Sequence, residues 1–225
     1  MLEATKSHLS GRVRMAIAPP PAAPAGGNPI EVTVTPEREL SRLWGIPVFG
    51  IFVRWILAIP HFVVLWLLGL GFYVWVFLGW IPILVNGRVP GIAVKLLTEY
   101  IQRGARVGGY VAFLMPGGYP PLEPGAPLPI DVRFNFESLE INRLWGIPVF
   151  GWFVRVLILV PHLIVLGFAA ILVCLSEIVL WIPILLFGRY PGWAASLYGG
   201  IIRYGVRVGA YMLLLPVPYP PFSFS

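Results

Sequence analysis

The chain has 225 residues, 58% of them hydrophobic and only 12% charged, with a mean hydropathy of +0.82; that balance excludes an ordinary soluble domain. Sixteen Lys and Arg against ten Asp and Glu leave a net charge of +6, which on so apolar a chain points to cytoplasmic loops and anionic headgroups and away from nucleic acid as a partner. The single cysteine, Cys174, excludes an intramolecular disulfide and reads as a small apolar residue.

In chain order, residues 1–28 are expected to form a flexible arm, because the Pro/Ala/Gly stretch from Ala18 cannot bury a core. No apolar segment of signal-peptide length precedes a cleavage site, so the first insertion signal is further on. Pro29-Ile30-Glu31-Val32 begins an alternation of apolar and polar residues that predicts a short half-exposed strand. Arg42 to Gly50 reads RLWGIPVFG, a turn-rich apolar stretch. Behind it, Trp55 to Val85 runs for about thirty residues with no formal charge and one histidine, well past the length at which a hydrophobic stretch reads as membrane-embedded. From Gly91 to Met115 the character changes. Lys95, Glu99, Arg103 and Arg106 share one face of a predicted amphipathic helix, lying either in the membrane interface or over the strands of the same protein. Tyr119-Pro120-Pro121 closes the unit.

The same unit then returns 101 positions later. RLWGIPVFG recurs at Arg143 to Gly151, Arg54 matches Arg155, Pro60-His61 matches Pro161-His162, and Gly87-Arg88 matches Gly188-Arg189. Arg106 matches Arg207 in a second, less charged amphipathic segment, and Tyr219-Pro220-Pro221 closes the copy. Two tandem membrane repeats are therefore expected, at 29–124 and 125–225.

The matching Arg…Pro-His at Arg54 to His61 and Arg155 to His162, Gly-Arg-x-Pro at Gly87 to Pro90 and Gly188 to Pro191, and the closing Tyr-Pro-Pro together resemble an uncharacterised family of bacterial membrane proteins, domain of unknown function 4389. The resemblance runs from about Arg42 to the C-terminus. It implies a membrane location and carries no assigned activity or catalytic residues.

Charge suggests a topology. Single crossings would put matching arginines on opposite sides of the membrane, against the positive-inside tendency, whereas a helical hairpin in each run keeps Arg42, Arg54, Arg88, Arg143, Arg155 and Arg189 on one side. The favoured expectation is a hairpin turning near Gly69-Leu70-Gly71 in the first copy and Gly167 to Ala170 in the second; one long helix per run is the alternative. The fold class expected is mainly α and integral to the membrane, each repeat a short strand, a hydrophobic helical hairpin or long helix, and an amphipathic interfacial helix. The two units would lie parallel.

Few residues suggest chemistry. Arg54, Arg88, Arg106, Arg155, Arg189 and Arg207 are expected at lipid headgroups. His61 and His162, at equivalent positions after proline, are candidates to ligate a haem or pigment metal between helices, against which stands the better-supported role of hydrogen bonding lipid phosphate or backbone carbonyls near a helix end. Glu177, which aligns with Val76, is the one charge inside an apolar run. It marks an intramembrane polar site, or simply the start of a hairpin arm. No metal-ligand spacing or catalytic constellation is found, and neither metal nor cofactor is expected. Most of the tryptophans sit at the ends of the apolar runs, as an interfacial belt requires, with Trp66 and Trp75 inside the first. The function expected is that of a non-enzymatic structural, self-assembling or membrane-organising element in the bacterial inner membrane. Its termini would be cytoplasmic and its partners anionic lipids and further copies of itself or a larger membrane complex. The alternative is a small transporter or channel, or an accessory subunit associated with pigment or haem.

Overall fold

The computed structural model describes residues 29–35, 41–46, 49–111, 119–120 and 130–224. The arm expected over 1–28 and the linker around Glu123 lie outside the described residues.

The first apolar run folds as α1 (Phe49–Leu57), α2 (Ile59–Leu78) and α3 (Trp80–Asn86). The joints at Ala58 and Gly79 keep right-handed helical dihedrals, and hydrogen bonds from Ala58 N–H to Arg54 and from Gly79 N–H to Trp75 carry the ladder across them. Each joint sits beside a proline, Pro60 or Pro82, which has no N–H to give to the carbonyl four residues back. The second run is one helix, α5 (Phe150–Phe187), with Pro161 and Pro183 inside it. The expected hairpins are therefore absent. Gly69 to Gly71 and Gly167 to Ala170 are helical, and each run passes straight through. A glycine costs a helix about 1 kcal/mol, whereas reversing the chain within an apolar stretch strips several backbone groups of their partners. The long-helix alternative is the one realised.

Each long helix ends on a glycine with a left-handed backbone, Gly87 (φ 66) and Gly188 (φ 62), whose N–H caps the carbonyl of Ile83 or Ile184. The chain then folds back as α4 (Gly91–Val111) along α2, and as α6 (Gly192–Met212) along α5. Two strands, β1 (Ile30–Val34) and β2 (Ile130–Phe134), pair antiparallel with Val32 opposite Val132.

The repeats are inverted, not parallel. The turn Arg42–Gly45 that leads into α1 stands against the far end of α5, so close that a Cβ on Gly45 would collide with the backbone of Leu185 and Ile184. The matching turn, Arg143–Gly146, stands against α3, where a Cβ on Gly146 would lie 2.5 Å from Leu84 N. With each start beside the other's end, the long helices run antiparallel. Val32 and Val132 differ by 100 positions, so an approximate twofold passes through the centre of the sheet. It continues through the crossing of α4 and α6, where Gly104, Gly108, Gly205 and Gly209 face a groove of about 310 Å³.

Three layers follow. α4 turns Gln102, Arg106 and Gly109 to the sheet: Gln102 donates to Val132 O at 2.8 Å, and Gly109 lies under Ile130. Its opposite face, with Leu96 and Tyr100, meets Gly71 and Gly69 of α2. On α6, Gly199 approaches Val34 of the sheet, while Gly205 approaches Leu166 of α5. The amphipathic segments thus take the second role foreseen for them, covering the strands. The long helices lie on the other side, largely bare.

Candidate functional site

Two equivalent sites form where α1 and α5 begin. Arg54 is 2% exposed; its guanidinium lies over the Trp44 ring at 4.8 Å and the Tyr110 ring at 4.9 Å, and donates to Tyr110 O at 2.9 Å. Arg155, also 2% exposed, lies between Trp145 at 4.8 Å and Tyr211 at 4.3 Å, donating to Tyr211 O at 2.8 Å and Leu215 O at 3.4 Å. The carbonyls of Tyr110 and Tyr211 belong to the last turns of α4 and α6, whose C-terminal oxygens lack helical partners and carry the negative end of the helix dipole, while Leu215 follows the end of α6. Aromatic faces on both sides supply the rest of the solvation a buried cation needs. The expected headgroup role of these two arginines is overturned: protein carbonyls and rings occupy them.

The other arginines divide. Arg106 pairs with Asp131 at 3.6 Å and donates to Ile130 O, and Arg207 donates to Ser223 O at 3.3 Å, so both tie helices to neighbouring chain. Arg88 is exposed and pairs with Glu140 at 2.7 Å, while Arg189 is exposed. Of the six expected at headgroups, only these last two present their heads outward.

Around the first arginine the symmetry breaks. Tyr198 donates to Glu177 Oε1 at 3.1 Å and shares a 2.7 Å hydrogen bond with Ser176, whose hydroxyl also reaches Val173 O. Tyr190 packs at 6.5 Å from the Tyr198 ring, and Arg54 of the other repeat lies within electrostatic range of Glu177. Glu177 Oε2 is buried without a hydrogen-bond partner among the described residues. Burial pushes the Tyr190 and Tyr198 phenols up in pKa, so both stay protonated, and Tyr198 is the one that donates to the carboxylate. At the twofold-related place, beside Arg155, the corresponding residues are Trp75, Val76, Val89 and Leu97. Three of the four are apolar there, with Val89 and Leu97 1% and 0% exposed, and the fourth, Trp75, donates its indole N–H to Leu213 O. Glu177 was legible in the sequence as a lone charge, but Ser176, Tyr190 and Tyr198 were not. Comparing the two copies position by position reveals them, because four neighbouring positions change polarity together.

Glu177 lies mid-helix, so it does not begin a hairpin arm. His61 and His162 are both buried, each against its own repeat's closing segment. His61 lies 4.9 Å from the Tyr119 ring; His162 stacks on Phe222 at 3.9 Å and its Nδ1 meets Tyr204 OH at 2.5 Å. The structure does not bring the two together, and each imidazole face is met by aromatic rings of its own half. Among the described residues no group of three His, Cys, Asp or Glu is placed to hold a metal. Trp44 and Trp145 serve the arginines and Trp75 is buried, while Trp55, Trp66 and Trp193 are exposed.

Two helices, Ile59–Leu78 and Phe150–Phe187, are long and apolar enough to cross a membrane by length and composition. The family model described as Domain of unknown function (DUF4389) matches residues 50–121 and again 151–224. No curated protein and no solved structure matches the chain.

Proposed function

We propose that this protein, which belongs to the DUF4389 family through both of its repeats, is a non-enzymatic integral membrane protein that acts as a structural, self-assembling and membrane-organising element. The observation that carries this reading is the bare apolar surface of the two long helices. Only 11% of the apolar window of α2 and 22% of that of α5 is buried, and Trp66, Phe77, Phe168 and Phe187 are each more than 60% exposed. A surface of this kind in water is far beyond what a soluble monomer tolerates, and hydrocarbon is its natural cover. The reading includes anionic lipid partners, since the net charge is +6, assembly into homo-oligomers, and a place in the bacterial inner membrane with cytoplasmic termini.

The test is to reconstitute the full chain with phosphatidylcholine–phosphatidylglycerol vesicles, extract at alkaline pH and image by electron cryomicroscopy. Retention on the vesicles together with altered vesicle shape or ordered assemblies is expected. Protein released by alkali overturns the membrane reading, and retained protein on undistorted vesicles overturns the organising role.

One observation favours a second reading, a small transporter or an accessory subunit of a larger complex: the carboxylate of Glu177, partly unpartnered within a long apolar helix. Proton flux into such vesicles, abolished by Glu177→Gln, would select it.

A further inference from the structure

The position of the sheet fixes how the long helices meet the bilayer. The twofold runs through the middle of the sheet, through the α4–α6 crossing, and out between α2 and α5, level with Leu65 and Leu166. The sheet therefore sits over the mid-length of both apolar helices, not beyond their ends. Its outward residues are polar: Glu31 and Thr33 are exposed, the Arg133 side chain is 65% exposed beside Asp131 at 2.8 Å, and Glu137 follows, also exposed. Among the described residues no third strand pairs with either edge of the sheet, although on the β2 edge Gln102 and Arg106 donate to Val132 O and Ile130 O.

Were the helices to stand upright across a bilayer, these edges and charges would lie at its midplane. Open sheet edges are not tolerated in lipid-exposed hydrocarbon, and an Asp or Arg at the bilayer centre is strongly disfavoured. Length argues the same way: the 38 residues of α5 span about 57 Å at 1.5 Å per residue, nearly twice a hydrocarbon core of about 30 Å. The two sides of the slab also differ in kind. The sheet side carries ion pairs among Arg106, Asp131 and Arg133, whereas the side formed by α2 and α5 exposes Val63, Leu67, Leu70, Leu163, Phe168 and Leu172.

We infer that the protein lies flat in one leaflet, its two antiparallel helices parallel to the membrane plane, its twofold along the membrane normal and its sheet facing water. The inference rests on the membrane reading above and specifies its partner, the acyl region of a single leaflet. A helix about 10–12 Å across fits within one half of the core without crossing it. Two helices laid in one leaflet enlarge its area and leave the other unchanged, which gives the organising role a physical cause.

Spin labels at Val63→Cys, Leu70→Cys, Phe77→Cys and Thr33→Cys, each in a Cys174→Ala background and bound to phosphatidylcholine–phosphatidylglycerol vesicles, read the orientation from their access to oxygen and to a water-soluble nickel complex. The three helix positions are seven residues apart on one face. Flat insertion predicts equal depths for all three and a nickel-accessible Thr33 site. An upright helix predicts depths that change by about 10 Å between successive labels, with Thr33 shielded; that result overturns the inference and leaves the membrane reading standing. Labels in water at every position, or protein that does not bind the vesicles, overturn both.

Discussion

The two guanidiniums are the most consequential single groups in the fold, since each joins the start of a long helix to the last turn of its neighbour. Losing a hydrogen bond from a charged group costs about 1.5–3 kcal/mol, and a buried cation–π contact adds about 1–2. Arg54→Leu and Arg155→Leu are each expected to destabilise the protein by ~2–4 kcal/mol, read as loss of thermal stability in lipid; Lys at either position restores only part, because a point charge cannot lie flat between two rings. Arg155 donates to two carbonyls in the described structure. The second residue-scale prediction concerns the cluster around Glu177. Glu177→Gln keeps an acceptor for Tyr198 and is expected to be mild, whereas Glu177→Val removes that acceptor and leaves the phenol its bond to Ser176. A double-mutant cycle of Glu177→Val with Tyr198→Phe should return a coupling of ~0.5–3 kcal/mol; additive effects would show that the hydrogen bond contributes nothing. At this scale the sequence was partly legible. The duplicated arginines and Glu177 stand out in apolar surroundings, but their partners are carbonyls and aromatic rings about 10 to 60 positions away, and nothing within one helical turn encodes those contacts.

Among the elements, the duplicated RLWG turn is explained by the contact it makes. Gly45 and Gly146 each let one backbone touch another, a close approach that a methyl group would block. Gly45→Ala or Gly146→Ala is expected to cost ~1–3 kcal/mol by overpacking, because the colliding atoms are backbone and cannot swing aside. Protease resistance should fall at the turn concerned, while Gly167→Ala, whose Cβ would meet nothing within 4 Å, leaves stability unchanged or raised. The strands and the amphipathic helices were readable from local chemistry. The hairpin was not, because its premise was that matching arginines share a side of a bilayer. That premise fails at Arg54 and Arg155, which are bound inside the protein and so carry no topological information of the positive-inside kind.

On the scale of the whole molecule, the tandem duplication was plain in the sequence, but its inversion was not. A repeat offset of 101 is the same whether two units lie parallel or antiparallel; only contacts such as Gly45 on Leu185 and Gly146 on Leu84 distinguish them. Inversion about an axis through the sheet produces a slab with one polar and one apolar face, and the account of the protein's membrane behaviour depends on that slab. Its most direct test is neutron reflectometry of the full chain bound to a supported phosphatidylcholine–phosphatidylglycerol bilayer. The account predicts protein density confined to the hydrocarbon of the facing leaflet together with a thin hydrated protein layer above the headgroups. Protein density continuous through both leaflets would contradict it.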